Sequence, residues 1–353
     1  MEKNNIPSTS HQVDRRRFIR SAAMAGLGLG FSQAAPAFMV KSPLGSRSKR
    51  VGIIGLDTSH SIAFTKMLNA ADAAPELGGY RVVMAYPPGS RDIESSVSRI
   101  APNTEEIKKY GVVIAASLEQ LLQAVDVVLL ETNDGRLHLE QALPVIKAGK
   151  PVFIDKPMTA SLRDAIQIFD AARQHRVPLF SSSSLRYMTN VPQVVSGALG
   201  KVLGAETFSP AILEKTHPDL FWYGIHGVET LFTVMGTGCT EVSRFHTPDT
   251  DLVVGRWQEG RIGTFRGVRA GKMDYGGTAY CEKGNQALGP FEGYQPLLKE
   301  IVQFFETGKP PVNPQETLEI LAFMEAADES KRLQGAPVTL QSRFEKAGQK
   351  VKA

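Results

Sequence analysis

The feature that most constrains the fold is an alternation of short apolar runs with longer amphipathic segments, beginning at residue 50. The apolar runs are typical of strands buried on both faces, and they lie at residues 51–55, 80–86, 126–131, 151–154 and 177–181. Segments with a helical period separate them, at residues 60–70, 104–110, 117–124, 138–148 and 160–175. This order predicts an α/β domain with a doubly wound parallel sheet.

The pattern changes after about residue 185. Gly-rich turns now separate predicted strands at residues 203–211, 241–247, 251–257, 261–268 and 276–281. Two amphipathic helices close the chain, at residues 294–308 and 314–333. The second part is therefore predicted to be an α+β domain with a largely antiparallel open sheet. We expect the first domain at 50–182, the second at 183–340 and a tail at 341–353.

The N-terminus has the pattern of an export signal. A twin-arginine sequence, DRRRFIR at residues 14–20, precedes a Gly/Ala-rich apolar stretch and a small-x-small site at residues 35–37. We interpret residues 1–37 as a twin-arginine (Tat) signal and 38–49 as a linker; a basic tail is the alternative. The signal predicts passage through the Tat translocase to the periplasm. Because this route carries folded proteins, it favours a ligand that is bound tightly before export.

The charge distribution excludes two classes of partner, and the two cysteines follow no pairing pattern. The net charge of +4 arises mostly in the first 37 residues, and the remainder has 35 basic and 34 acidic residues. That balance gives no electrostatic reason to expect nucleic acid or an anionic membrane as a partner. Cys239 and Cys281 follow no spacing motif, so we expect two separate thiols, with a pair in an oxidising compartment as the alternative.

The turn after the first strand, in VGIIGLDTSH at residues 51–60, departs from a known phosphate-binding pattern. A dinucleotide-binding turn reads G-x-G-x-x-G. Gly55 fills the first position, but Asp57 and His60 replace the second and third glycines. A carboxylate about 5 Å from a phosphate costs about 3 kcal/mol at an effective dielectric of about 20.

Three interpretations of this turn stay open. Asp57, Thr58 and Ser59 are all good N-cap residues, so capping alone explains them. A ligand in a shifted position, touched by Asp57 or His60, is the second interpretation. A metal held by Asp57, His60 and His138 is the third and least favoured, and we predict no metal.

The end of the second strand indicates which dinucleotide would bind. NAD-binding folds place an acidic residue there for the ribose hydroxyls. This chain instead has Ser90 and Arg91, with no acid before Asp92. A serine and a guanidinium suit a 2′-phosphate, which favours NADP over NAD. A polar turn without ligand contacts is the alternative.

Several segments together resemble the Gfo/Idh/MocA family of oxidoreductases. The segment at residues 145–168 contains Asp155-Lys156-Pro157, where the family has Glu-Lys-Pro. A strand end with Thr132 and His138 precedes it. SSSSLRY, GIHGVETL and the segment FFETGKPPVNPQETLEILAFMEAADES follow it. The resemblance extends over roughly residues 50–340, and it implies a Rossmann-type dinucleotide-binding first domain followed by a domain for substrate binding and oligomerisation.

The resemblance also implies residue roles. The family lysine lies beside the nicotinamide and the reacting carbinol, and the second-domain histidine lies across the pocket as acid/base; these positions are Lys156 and His226. A lysine at the carboxyl end of a strand faces the crevice of an open α/β sheet, and a histidine that titrates near neutrality suits proton transfer. The expected substrate contacts are Arg186, Trp222, Tyr223, His226 and Glu229, with a structural ion pair as an equal alternative for Arg186. Together with the two turns described above, the expected cofactor contacts are Gly55, Asp57, Thr58, Ser59, His60, Ser90, Arg91, Thr132, His138, Asp155 and Lys156.

These patterns predict a periplasmic oxidoreductase that acts on a sugar, polyol or glycoside. The NADP or NAD cofactor is expected to be tightly bound and recycled in place. Two alternatives stay open: a carbohydrate-binding protein without redox activity, and a cofactor-independent glycoside lyase or hydrolase on the same fold. Because an open sheet needs one face covered, we expect a homo-oligomer through the second-domain sheet.

Overall fold

The computed structural model describes residues 49–348, and these contain two β-sheets. The first domain has strands β1 Arg50–Ile54, β2 Arg81–Tyr86, β3 Val113–Ile114, β4 Val127–Leu130, β5 Val152–Ile154 and β6 Leu179–Ser181. Its helices are α1 Ser59–Asn69, α2 Glu94–Lys108, α3 Leu118–Ala124, α4 His138–Lys147 and α5 Leu162–His175.

The first sheet is parallel throughout, with strand order β3-β2-β1-β4-β5-β6. This confirms the predicted doubly wound fold. The chain reverses its direction of winding between β1 and β4, and ligands bind at that point in such sheets. Two elements differ from the prediction: β3 was not expected, and α2 begins at Glu94 instead of residue 104. The first turns of α2 are polar and the helix contains Pro102, so they lack a clear apolar stripe.

The second sheet is mostly antiparallel, as predicted. Its strands are β7 Val202–Pro210, β8 Cys239–His246, β9 Thr250–Trp257, β10 Ile262–Val268, β11 Gly276–Cys281, β12 Gly284–Leu288 and β13 Val338–Thr339. Its order is β12-β11-β7-β10-β9-β8-β13, with β7 and β10 the parallel pair. The remaining helices are α6 Val191–Val195, α7 Asp219–Trp222, α8 Ile225–Met235, α9 Gln295–Thr307, α10 Pro314–Arg332 and α11 Leu340–Lys346.

Helices α8 and α10 cover one face of the second sheet. Nearly every residue of α8 is buried, because this helix packs against the sheet and other helices. The other sheet face carries large side chains that are 38–61% exposed: Leu203, Phe208, Phe245, Ile262 and Tyr280. An exposed apolar surface of this kind is typical of a binding or subunit interface.

Two helices correct the predicted domain division. Helix α9 returns to the first domain, where Leu298, Ile301 and Phe304 share a core with residues of β1 and α1. Helix α11 buries Leu340 and Phe344, so residues 341–346 are not part of a tail. The predicted export signal at 1–37 lies outside the described residues, as do most of the linker and the last five residues.

The two cysteines are buried and free, which confirms that they form separate thiols. Among the helices of residues 49–348, none combines the length and the apolar character needed to cross a bilayer.

Candidate active site

A cavity of about 320 Å³ lies at the carboxyl ends of the first-domain strands. From the first domain it is lined by Thr58, Ser59, His60, Asn133 and Lys156, and by Ser95 and Arg99 of α2. Its aromatic lining comes from later parts of the chain: Trp222, Tyr223, Tyr275, Phe291 and Tyr294. An aromatic cavity with a few converging polar groups at this edge of the sheet is the usual form of a small-molecule site.

Lys156 and His226 line this cavity together. Lys156 follows β5, and His226 stands in the first turn of α8; each is 7% exposed. Ser183 Oγ lies 2.8 Å from His226 Nδ1 and also accepts a hydrogen bond from the Leu185 backbone N–H. Nε2 is the remaining ring nitrogen for a ligand. The structure therefore assembles the pair of residues that the resemblance singled out.

The protonation of His226 differs from the expectation of a near-neutral group. Burial lowers the pKa of His226 well below its usual range, and the positive charges of Lys156 and His60 act in the same direction. The ring is therefore neutral at pH 7 and can accept a proton.

Arg186 and Glu229, expected as substrate contacts, form a buried ion pair, which is the alternative that the sequence left open for Arg186. Arg186 Nε lies 3.1 Å from Glu229 Oε1, and its Nη2 lies 2.6 Å from Glu316 Oε1. Glu229 also accepts hydrogen bonds from Ser182 Oγ and from the Ser183 backbone N–H. The carboxylate thus fixes the segment that carries Ser183, and Ser183 in turn contacts His226. These two residues position the site instead of lining the main cavity.

Asp57 turns away from the cavity. Its Oδ2 accepts from the Ser90 backbone N–H at 2.7 Å, and its Oδ1 accepts from the Asn133 backbone N–H at 3.0 Å. Burial raises the pKa of Asp57, while these two hydrogen bonds favour the ionised form. A Cβ at Gly89 would lie 2.4 Å from the carboxylate, so close packing requires glycine there. Asp57 therefore joins the loops that follow β1, β2 and β4.

The capping prediction holds for one residue of three. Thr58 is the N-cap of α1, and its Oγ1 accepts from the His60 backbone N–H at 3.4 Å. Asp57 does not cap the helix. Ser59 is exposed and lines the cavity.

Ser90 and Arg91 do not occupy the positions expected for contacts with a 2′-phosphate. Ser90 is buried, and its hydroxyl donates to Asp134 Oδ2 at 3.3 Å. The Arg91 guanidinium pairs with Glu140 at 3.2 Å on the surface. The described residues that line the cavity do not include Ser90 or Arg91. Ser90 and Arg91 therefore form a polar turn without ligand contacts, which was the alternative interpretation of this sequence.

Gly55, Thr132 and His138 are structural parts of the crevice. Gly55 has φ +88°, and a Cβ there would lie 2.4 Å from Thr132 Oγ1, so this position needs glycine. The two ring nitrogens of His138 face the Thr132 and Met158 carbonyl oxygens at 2.7 and 2.9 Å. His138 is fully buried by these contacts. These contacts exclude the alternative of a metal site formed by Asp57, His60 and His138.

The cavity does contain groups that fit a phosphate, displaced from the usual position. The N-terminus of α1 reaches it at Thr58 and Ser59, and backbone N–H groups at a helix N-terminus favour anions. Ser95 and Arg99 line the same part of the cavity. Within residues 49–348, no carboxylate forms an ion pair with Arg99. Thr58, Ser59, Ser95 and Arg99 would hold the phosphates of a dinucleotide. Sequence reasoning missed Ser95 and Arg99 because it placed the start of α2 too late.

A second missed feature is a buried charged cluster under the cavity. His60 Nδ1 lies 3.0 Å from Asp155 Oδ2 and 3.8 Å from Glu131 Oε2, while its ring packs against Tyr294. Burial and the charge of Asp155 raise the pKa of Glu131 well above its usual range. Burial acts in the same direction on Asp155, but His60 and Lys156 outweigh it and hold the pKa of Asp155 below its usual value.

Comparisons with known proteins agree with this architecture. A family model described as an oxidoreductase family with an NAD-binding Rossmann fold matches residues 49–183. The chain is 33% identical over 103 residues to the 1,5-anhydro-D-fructose reductase of Ensifer adhaerens, and 32% identical over 126 residues to the inositol 2-dehydrogenase of Cereibacter sphaeroides. These matches cover 28% and 35% of this chain and span about a third of each relative's length, 31% and 32%.

Solved structures share the fold over both domains. The myo-inositol dehydrogenase of Lactobacillus casei, solved with NAD(H) and myo-inositol, matches with a TM-score of 0.65 at 15% identity. The match covers 82% of this chain and 96% of that one. The fold thus defines a class of two-domain proteins with an NAD-binding Rossmann domain. The family model assigns residues 49–183 to the Gfo/Idh/MocA family of oxidoreductases.

Proposed function

We propose that the protein oxidises or reduces a sugar, polyol or glycoside by hydride transfer to or from a nicotinamide cofactor. The observation that carries this proposal is the presence of Lys156 and His226 in one cavity with aromatic walls. Its phosphate-suited end, at Ser59 and Arg99, supports the presence of a dinucleotide.

The wall of the cavity supports a polyhydroxylated ring as substrate. Trp222 and Tyr223 offer aromatic surfaces, and the Tyr223 and Tyr275 hydroxyls lie 3.0 Å apart. Burial raises the pKa of Tyr275, so its hydroxyl keeps its proton and can donate to a ligand. Relatives named as an inositol dehydrogenase and an anhydrofructose reductase agree with a substrate of this chemical class.

In the oxidative direction, a proton leaves the hydroxyl oxygen and a hydride leaves the carbon. When bound, the nicotinamide supplies the hydride acceptor. Neutral His226 accepts the hydroxyl proton on Nε2, while the Ser183 hydroxyl at Nδ1 supports either tautomer of the ring. The Lys156 ammonium donates to the carbinol oxygen and stabilises negative charge that develops there. Aromatic walls limit the access of water to this oxygen.

The N-terminal sequence bears on location and cofactor retention, and the open sheet bears on oligomeric state. We propose a periplasmic protein that keeps its cofactor bound and recycles it between two half-reactions. Since Ser90 and Arg91 are engaged elsewhere, Arg99 is the guanidinium in the cavity lining that can bind a phosphate of NAD or NADP. We also propose a homo-oligomer that covers the apolar face containing Phe245 and Ile262.

A substrate screen tests the redox activity. Purified protein is mixed with inositols, aldoses and glycosides, and reduced nicotinamide is followed by its fluorescence in wild type and His226→Asn. We expect a substrate-dependent signal in the wild type that falls about 10²–10⁴-fold in the variant. Sugar binding by both proteins without any reduced nicotinamide would contradict the proposal. It would favour a cofactor-independent function, with which the Asp57 contacts also agree.

A further inference from the structure

Three ionisable side chains meet beneath the cavity floor. His60 belongs to the first turn of α1, Glu131 follows β4 and Asp155 follows β5. Glu131 and Asp155 are fully buried, and His60 is 6% exposed. One nitrogen or oxygen atom from each of the three lies within 4.8 Å of the other two.

The Glu131 carboxylate points to a missing partner. Within residues 49–348, no hydrogen-bond donor reaches either Oε1 or Oε2. Burying an ionised carboxylate without hydrogen bonds is costly, and native structures rarely leave one in that state. Glu131 and Asp155 also lie side by side, so the charge of Asp155 opposes the ionisation of Glu131. Either a proton on Glu131 or a bound cation supplies the partner that this carboxylate lacks.

We propose that His60 Nδ1, Glu131 and Asp155 bind a divalent first-row transition metal of the Mn²⁺ or Zn²⁺ type. One imidazole nitrogen with two carboxylates is a donor set for such ions, whereas Mg²⁺ and Ca²⁺ prefer oxygen ligands alone. Because Asp57 and His138 have their polar atoms engaged with backbone groups, they are not members of this site.

The geometry is compatible with an ion that also serves a ligand. Metal bonds of about 2.0–2.2 Å place neighbouring ligand atoms about 3–3.5 Å apart. The two distances from His60 Nδ1 are 3.0 and 3.8 Å, so small side-chain rotations close the site. His60 lines the cavity together with Lys156, so an ion bound to His60 would lie next to the cavity. Three protein ligands with open positions are typical of a catalytic metal site.

This proposal does not depend on the proposed redox function, and Mn²⁺ itself is the probe. Chelator-treated full-length protein is titrated with Mn²⁺, binding is followed by the loss of the free-ion EPR signal, and pulsed EPR detects a coordinated histidine nitrogen. The test variants are Glu131→Gln and His60→Gln. Their matched controls are Glu140→Gln and His175→Gln, which change exposed residues of the first domain.

We expect one Mn²⁺ per chain with nitrogen coupling in wild type and both controls. Glu131→Gln should weaken binding at least a hundredfold, and His60→Gln should abolish the nitrogen coupling. The proposal is overturned if wild type binds no Mn²⁺, or if both variants bind it like wild type. In that case a proton on Glu131 balances the cluster. Should Glu131→Gln fail to fold, the His60→Gln spectrum decides alone; should both fail, wild-type nitrogen coupling supports the site and its absence overturns it.

Discussion

The Asp57 carboxylate gives a sharp test of how this fold holds its loops. Asp57→Ala removes the acceptor for two backbone N–H groups, those of Ser90 and Asn133. Ser90 is buried and Asn133 is half-buried. A buried donor left without an acceptor costs about 1–3 kcal/mol, and the half-buried Asn133 N–H should cost about 1 kcal/mol, so the free energy of unfolding should fall by roughly 2–4 kcal/mol.

That loss should be visible in the midpoint of thermal unfolding. With an unfolding entropy of about 2.1 cal/mol/K per residue over roughly 300 residues, the midpoint should fall by about 3–6 °C. Differential scanning calorimetry measures it, with Asp72→Ala at an exposed position as the control. A midpoint within 1 °C of wild type would refute the account, because Asp57 would then not join the three loops.

Three further predictions concern the site. Lys156→Met should lower kcat about 10²–10⁴-fold, measured by stopped-flow, with a small change in substrate Kd, measured by calorimetry. Equal losses in kcat and in substrate affinity would contradict a role of Lys156 in the reaction. Because the pKa of His226 is low when folded and about 6.5 when unfolded, the acid limb of kcat/KM should lie below pH 6.5. The free energy of unfolding should decrease as pH falls below about 6.5, and His226→Asn should lack this part of the slope. Glu229→Gln leaves Arg186 partly unpaired and should cost about 3–5 kcal/mol in urea unfolding, and an unchanged midpoint would show the pair to be dispensable.

Local sequence patterns were sufficient for most of the fold. The buried-type strands of the first domain are continuous apolar runs, so their positions could be predicted to within a few residues. The return of α9 to the first domain could not, because its apolar stripe fits either domain equally well. Helix α2 was placed too late because its first turns are polar.

The site was predictable only where a motif marks it. Lys156 and His226 were found through their resemblance to family motifs, and both line the cavity. The orientation of Asp57 depends on backbone N–H groups 33 and 76 residues away, which no local pattern reveals. Glu131 was overlooked because a charged residue at the end of an apolar strand resembles an ordinary loop residue until its burial is known.

Nucleotide content shows most directly whether this cavity works with a nicotinamide cofactor. Protein exported with its native N-terminus is purified, denatured and assayed enzymatically for NAD and NADP, beside Arg99→Ala and the surface control Arg173→Ala. The account predicts nearly one nucleotide per chain in wild type and control, with a large loss in Arg99→Ala. Wild-type protein that contains no nucleotide, and binds none when NAD or NADP is added, would contradict it.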